Sequence, residues 1–291
     1  MLYQRELKFM KYIKYLAIAI VLVAMVACGD DEPQSTYQRD FNMIYPVLPA
    51  GHKSISKIER KYDRGNTTVT TASYDGDYLK SINVVNRDVD GSLLNEETIT
   101  IDYKNGAIIC DKKIQDVTYA FEVNSYGAFT KFSNVSTGRT SSAMTYDGSG
   151  HLEIAQVVTP TTTGTTVVNW MDGNLTQWVS RDVNKLDSVV YEYGTNAIPN
   201  KGNIDVAGNE SFTFTTFVCA IMRNAGLFGT TSAKLPTVIK KGYDYSAVDA
   251  SNPDAVELKR YNITYTLDAQ GYVTSYTTNE TPRYTVTYTY R

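Results

Sequence analysis

The chain punctuates itself with Asp-Gly, Asn-Gly and related turns at a near-constant interval, and no other feature restricts its fold as much. Tyr74-Asp75-Gly76 leads into Tyr78-Leu79, Tyr103-Lys104-Asn105-Gly106 into Ile108-Ile109, and Tyr126-Gly127 into Phe129 and Phe132. Further on, Tyr146-Asp147-Gly148-Ser149-Gly150 leads into Leu152 and Ile154, Trp170-Met171-Asp172-Gly173 into Leu175, and Leu267-Asp268-Ala269-Gln270-Gly271 into Tyr272-Val273. Such pairs supply the positive φ that a tight hairpin turn requires. Gly106, Gly127, Gly150 and Gly173 are spaced by 21, 23 and 23 residues, which is two strands and two turns per unit. Between turns the chain alternates: Tyr284, Val286, Tyr288 and Tyr290 interleave with Thr285, Thr287 and Thr289. The 23 tyrosines suit a pleated surface. These features predict an all-β protein, an antiparallel β-meander of repeated hairpins with one apolar and one polar face. An open sheet of more than about ten strands must curl. The expected form is therefore a curved sheet or half-barrel.

One stretch departs from the alternation. Phe214, Phe217, Val218, Ile221, Met222 and Ala225 recur at helical spacing, with Asn209 or Ser211 able to cap the start and Gly226 the end. The spacing predicts a helix over about 211–225, packed on the concave face of the sheet.

The N-terminus carries an address. Lys8, Lys11 and Lys14 precede an unbroken apolar run from Leu16 to Ala27. A membrane-spanning helix needs about 20 residues, and this run is 12, so it reads as the core of a signal peptide. Val26-Ala27-Cys28 resembles a lipobox, with Met25 where leucine is commonest. Cleavage before Cys28 would leave that cysteine carrying acyl chains such as palmitate, and two or more chains anchor stably. Met1 and Met10 are both possible starts. The Asp30-Asp31-Glu32 cluster behind Cys28 resembles the export signal of surface lipoproteins, or is a solvated spacer. Residues 1–27 thus form the signal peptide, 28–45 a flexible tether, and 46–291 a single domain.

The hairpins, the Trp170-Met171-Asp172-Gly173-Asn174 turn, the Gly226-Leu227-Phe228-Gly229 and Leu235-Pro236 segments and the lipobox together resemble domain of unknown function 4595. That is a family of bacterial lipoproteins described as having a porin-like fold. The resemblance covers most of residues 50–291 and implies no catalytic residues. The hairpins also resemble the tyrosine-aspartate repeats of large bacterial surface proteins.

Little in the chain points to catalysis. His52 and His151 are the only histidines, and neither belongs to a paired zinc motif. Without the signal peptide the chain carries 24 basic and 30 acidic side chains, a poor balance for binding nucleic acid. Asn86-Arg87-Asp88-Val89-Asp90-Gly91 with Glu97 fits a calcium-loop template. In it Asn86, Asp88, Asp90 and Glu97 would supply the oxygens for Ca2+. The flanking segments read as strands, so the same residues also fit a plain hairpin turn. Trp170 and Trp178 flank one hairpin and could stack on a sugar ring or pack in the core. A two-residue turn would place them on opposite faces and a three-residue turn on the same face. Asp187-Ser188-Val189 matches a short O-glycosylation sequon, which requires Ser188 at the surface. Cys110 and Cys219 fit either a disulfide or two buried thiols.

The sequence therefore points to an outer-membrane lipoprotein, monomeric and facing outward. It would bind a glycan or protein ligand on a tyrosine-rich sheet face. The competing reading is a periplasm-facing structural lipoprotein whose curved sheet cradles a lipid or partner.

Overall fold

The computed structural model describes residues 46, 48, 52–104, 107–112, 117–136, 139–158, 163–181, 186–204, 206, 216–244 and 257–291. The signal peptide, Cys28 and the tether to residue 45 lie outside the described residues, as do the turn at Asn105-Gly106 and the helix caps proposed at Asn209 and Ser211.

Among the described residues, sixteen strands run in chain order from β1 (Ile55–Tyr62) to β16 (Tyr284–Tyr290), each antiparallel to its neighbours. β1 pairs with β16, Ile58 opposite Tyr288 and Tyr62 opposite Tyr284, so the sheet closes into a barrel. The half-barrel expectation is thereby overturned. The repeat itself supplies the reason. At five hairpins the register slips by one residue just past the turn: Tyr74 pairs with Leu79, Val123 with Phe129, Tyr146 with Leu152, Trp170 with Leu175 and Leu267 with Val273. Each slip leaves one extra residue on the following strand, namely Lys80, Thr130, Glu153, Thr176 and Thr274. Bulges bend a strand and increase its twist. Repeated at the same end of successive hairpins, they curl the sheet until its edges meet, and closure removes the two exposed edges of an open sheet.

The alternation orients every strand. Val286 and Tyr288 are buried while Thr287 and Thr289 are exposed. Ile58, Ile82, Ile99, Phe121, Phe132, Met144 and Val168 belong to the same inward core. Most of the paired charged side chains occupy the opposite, outward face, whereas Arg60 and Glu97, opposite the buried Val286 and Val84, share the inward one. Lys57 meets Glu59 at 2.6 Å, Lys131 meets Glu122 at 3.4 Å, and Glu192 bridges Arg260 (2.6 Å) and Lys240.

The lumen is filled by the chain's own connection between β12 (Leu186–Glu192) and β13 (Val238–Asp244). This plug contains the helix α1 (Thr216–Asn224), within the predicted span. Val218, Cys219, Ala220, Ile221 and Met222 are all buried. A helix buried on every side, not on one stripe, belongs inside a core. Its last turn closes as a Schellman motif: the Leu227 amide bonds the Met222 carbonyl at 2.9 Å and the Gly226 amide bonds the Arg223 carbonyl at 2.8 Å. Gly226 sits at φ 79°, and a Cβ there would meet Pro46 Cβ at 2.7 Å. Asn224 ties the helix to the first strand, accepting from the Ile55 amide at 2.8 Å and donating to the Gly202 carbonyl at 2.7 Å. Cys110 and Cys219 are buried thiols.

Candidate functional site

A strap of ten residues, Leu227–Pro236, leaves α1 and runs across the hairpin turns at one end of the barrel. The Phe129 amide donates to the Leu227 carbonyl (2.9 Å), the Thr230 amide to the Gly150 carbonyl (2.8 Å) and the Ala233 amide to the Gly173 carbonyl (3.0 Å). Asn174 Oδ1 accepts from the Lys234 amide at 2.9 Å, and Ser232 Oγ accepts from the Leu175 amide at 3.0 Å. The repeat's glycine turns therefore serve as docking points for the plug.

Beneath this strap lies a cavity whose walls include Trp170, Trp178, Tyr191, Arg223 and Phe228. The two tryptophans lie on the same, inward face. Asp172-Gly173 is a two-residue turn, which alone would have set them on opposite faces, but the bulge at Thr176 restores the phase. The Trp170 indole donates to the Leu152 carbonyl at 2.8 Å and stacks on His151 with ring centroids 4.4 Å apart. His151 is held by Asp147, Nδ1 to Oδ2 3.0 Å. Burial on its own would raise the Asp147 carboxyl. The amide and ring of His151 and the Ser149 amide outweigh it and hold the carboxyl below its usual range. Trp178 is buried beneath the Arg223 guanidinium, which lies 5.1 Å from the Trp178 ring and 5.6 Å from that of Phe228.

Both tryptophans line this cavity, and Trp178 is buried. Arg223 was not singled out from sequence, and Phe228 was named only as part of the Gly226-Leu227-Phe228-Gly229 segment. The one basic residue in the apolar helical run was the signal available for Arg223.

The remaining sequence candidates are dispersed. Asp88–Ser92 forms a hairpin turn, with the Asp88 amide bonded to the Ser92 carbonyl at 3.0 Å and Gly91 at φ 83°. Asp88 Oδ1 accepts from Asn66 Nδ2 at 3.0 Å and from the Val89 amide at 2.7 Å, and Asp90 Oδ1 accepts from the Ser92 amide at 2.8 Å. Asn86 bonds Thr68 and Asn95, and Glu97 sits within a strand opposite Val84. Among the described residues no three His, Cys, Asp or Glu side chains converge as a metal site, Asp88, Asp90 and Glu97 included. Ser188 lies in β12 opposite Val179 and Gly242 and is 1% exposed. Tyr119, Tyr191, Tyr276 and Tyr288 are buried in the core. Among the described residues, Tyr78 and Tyr126 are exposed at hairpin tips, at 40% and 64%.

No family model matches the chain, and no curated protein matches it. Solved structures do. A porin-like protein from Bacteroides uniformis superposes with a TM-score of 0.64 at 18% identity, over 85% of this chain and 100% of the other. A porin-like protein from Bacteroides vulgatus superposes with a TM-score of 0.53 at 11% identity, over 82% of this chain and 99% of the other. Identities this low establish architecture alone, and the chain has the porin-like barrel fold.

Proposed function

We propose that this chain is a lipid-anchored, non-conducting barrel that binds an extracellular ligand at the outer membrane. The observation that carries the reading is the direction in which the strands face. A barrel that spans a membrane turns an apolar band about 25 Å tall outward and keeps its lumen polar. Here the apolar set faces the lumen, and Lys57, Glu59, Glu122, Lys131, Glu192, Lys240 and Arg260 face out. Each basic side chain placed at a bilayer midplane would cost about 2–4 kcal/mol, and acidic ones less. Such a wall belongs in water. Among the described residues, α1 and the strap fill the lumen with buried apolar side chains. Membrane attachment then falls to lipid on Cys28, and the acidic residues after it favour outward display. Membership of domain of unknown function 4595 accords with the porin-like fold and the lipobox. Among the described residues, Tyr78 and Tyr126 are exposed aromatic side chains that a glycan or protein ligand could meet.

Four measurements test this. Reconstituted in planar bilayers, the full chain should give no conductance steps; stable channels would overturn the non-conducting reading. In cells it should partition into the detergent phase and be cut by external protease, and Cys28→Ala should abolish the partitioning. A Cys28→Ala protein that stays membrane-bound would refute the anchor. Glycan-array binding lost in the Tyr78→Ala, Tyr126→Ala double variant would assign the ligand class.

A further inference from the structure

The rim of the barrel where the strap docks carries exposed apolar tips. Tyr78, Tyr126, Met171 and Leu267 are exposed there, Met171 by 65% and Leu267 by 38%. They stand at the hairpins that join the second strand to the third, the sixth to the seventh, the tenth to the eleventh and the fourteenth to the fifteenth. One tip therefore recurs every four strands around a closed ring of sixteen. Strands about 4.8 Å apart set neighbouring tips about 20 Å from each other along the rim. A lone exposed apolar side chain is ordinary on any surface. Four spread evenly around one rim are too far apart for a small ligand or a short peptide to join. A broad, flat surface meets them together.

The chain's own anchor selects that surface. Pro46 and Leu48 reach the barrel at this same rim, beside Gly226 at the end of α1, where a Cβ on Gly226 would meet Pro46 at 2.7 Å and Leu48 at 3.2 Å. Cys28 precedes Pro46 by 18 residues, a span of at most about 60 Å. With lipid on Cys28 this rim is held near the bilayer, and a tethered contact becomes intramolecular, so that individually weak contacts suffice. The tips also have the chemistry for it. Tyrosine settles at membrane–water interfaces, and apolar side chains enter the boundary between headgroups and acyl chains. Among the described residues, the opposite rim exposes Val89, Leu93, Leu94, Val135 and Val158. Those five fall within the arc from the third strand to the ninth, include no aromatic ring and lie at the end away from Gly226.

We propose that this rim rests on the surface of the lipid bilayer through Tyr78, Tyr126, Met171 and Leu267, and so holds the barrel upright on the membrane. The inference rests on the lipid anchor proposed above. It turns Tyr78 and Tyr126 toward the membrane, so that a glycan meeting them is one borne at the lipid surface. Contact of this kind is apolar and interfacial. It therefore forms on zwitterionic lipid and survives salt, which screens charge and leaves apolar burial in place.

The test uses the full lipidated protein on phosphatidylcholine vesicles. Cys110 and Cys219 are buried, so with Cys28 acylated the Met171→Cys variant offers one reactive thiol for a polarity-sensitive dye. The expected result is blue-shifted emission on vesicles, quenching by nitroxides carried on the lipid headgroups, and persistence of both in high salt. A dye at Val89→Cys, on the opposite rim, should show neither. Tyr126→Cys repeats the reading if Met171→Cys fails to fold. The inference is overturned, with the anchor intact, if vesicle-bound protein leaves the Met171→Cys dye in water. It is also overturned if both rims respond alike, or if the shift needs anionic lipid and is lost in salt. Protein that does not associate with vesicles at all removes the anchor and this inference together. A shift that needs no vesicles and grows with protein concentration gives the rim to a second copy, and overturns the inference as well.

Discussion

The indole nitrogen of Trp170 donates a hydrogen bond to the main-chain carbonyl of Leu152, 18 residues earlier, at 2.8 Å. The same tie recurs around the barrel. Tyr74 donates to Ile55, Tyr146 to Phe129, Tyr193 to Leu175 and Tyr290 to Val273, at 2.6–2.9 Å and separations of 17–19 residues. In each case an aromatic residue at or just past the end of one strand reaches back to the start of the preceding strand. The ties lie at the end of the barrel where the plug docks, and they explain why a polar-tipped aromatic ends so many of the repeats.

Removing a tie should cost stability without unfolding the barrel. Tyr146→Phe and Tyr290→Phe keep the ring and lose the donor, so each is expected to cost about 1–2 kcal/mol. Trp178→Ala, which empties the wall beneath Arg223, should cost about 3–5 kcal/mol. Denaturant midpoints at fixed slope check both figures.

The strap should be sensitive at Gly229. It holds φ 77°, and a Cβ there would meet the Tyr146 ring at 2.8 Å and crowd the Gly150 carbonyl. Gly229→Ala is expected to cost about 1–3 kcal/mol and to loosen the strap. Faster hydrogen exchange at Thr230 and Ala233, with little change in distant strands, would report it.

The tie tyrosines set an alkaline limit. Burial pushes the hydroxyls of Tyr74, Tyr146 and Tyr290 above their ordinary range, while burial and the Glu280 carboxylate push Tyr284 up to about 12. A folded-state value above the unfolded one means the folded form holds its proton more tightly. The associated stability is therefore complete below about pH 10, the unfolded tyrosine value, and is lost as pH rises through the folded values. Tyrosinate absorbance should show a late, cooperative transition that coincides with loss of near-ultraviolet dichroism, and Tyr146→Phe should make that loss less steep.

Calcium should leave the protein unchanged. The Asp88 and Asp90 oxygens are engaged by Asn66 and by turn amides, and Glu97 lies along the strand. Calorimetry at millimolar calcium is expected to show no heat and no shift in melting temperature.

Thiol labelling should separate the buried cysteines from the surface. Cys110 and Cys219 are 0% and 1% exposed. Native protein lipidated on Cys28 should react with neither, and denatured protein should react at both.

The repeat of Asp-Gly and Asn-Gly turns, with apolar and polar residues alternating between them, by itself determined strand identity, antiparallel order and which side chains share a face. These are local properties, set by turn chemistry and the two-residue period of a strand. The spacing of Phe217, Val218, Ile221 and Met222 likewise determined a helix. Closure was decided by tertiary structure, because it depends on the bulges at Lys80, Thr130, Glu153, Thr176 and Thr274 acting together; each marks the sequence as a local phase break, with buried residues three apart as in Phe129 and Phe132 or Leu175 and Trp178, and nothing local states that the bends add up to a closed ring. The same slip at Thr176 brought Trp170 and Trp178 to one face. Whether the apolar face turned inward or toward lipid was also decided there. Alternation along a strand is identical in a water-soluble barrel and a membrane barrel, and only closure around α1 fixes which side is the lumen.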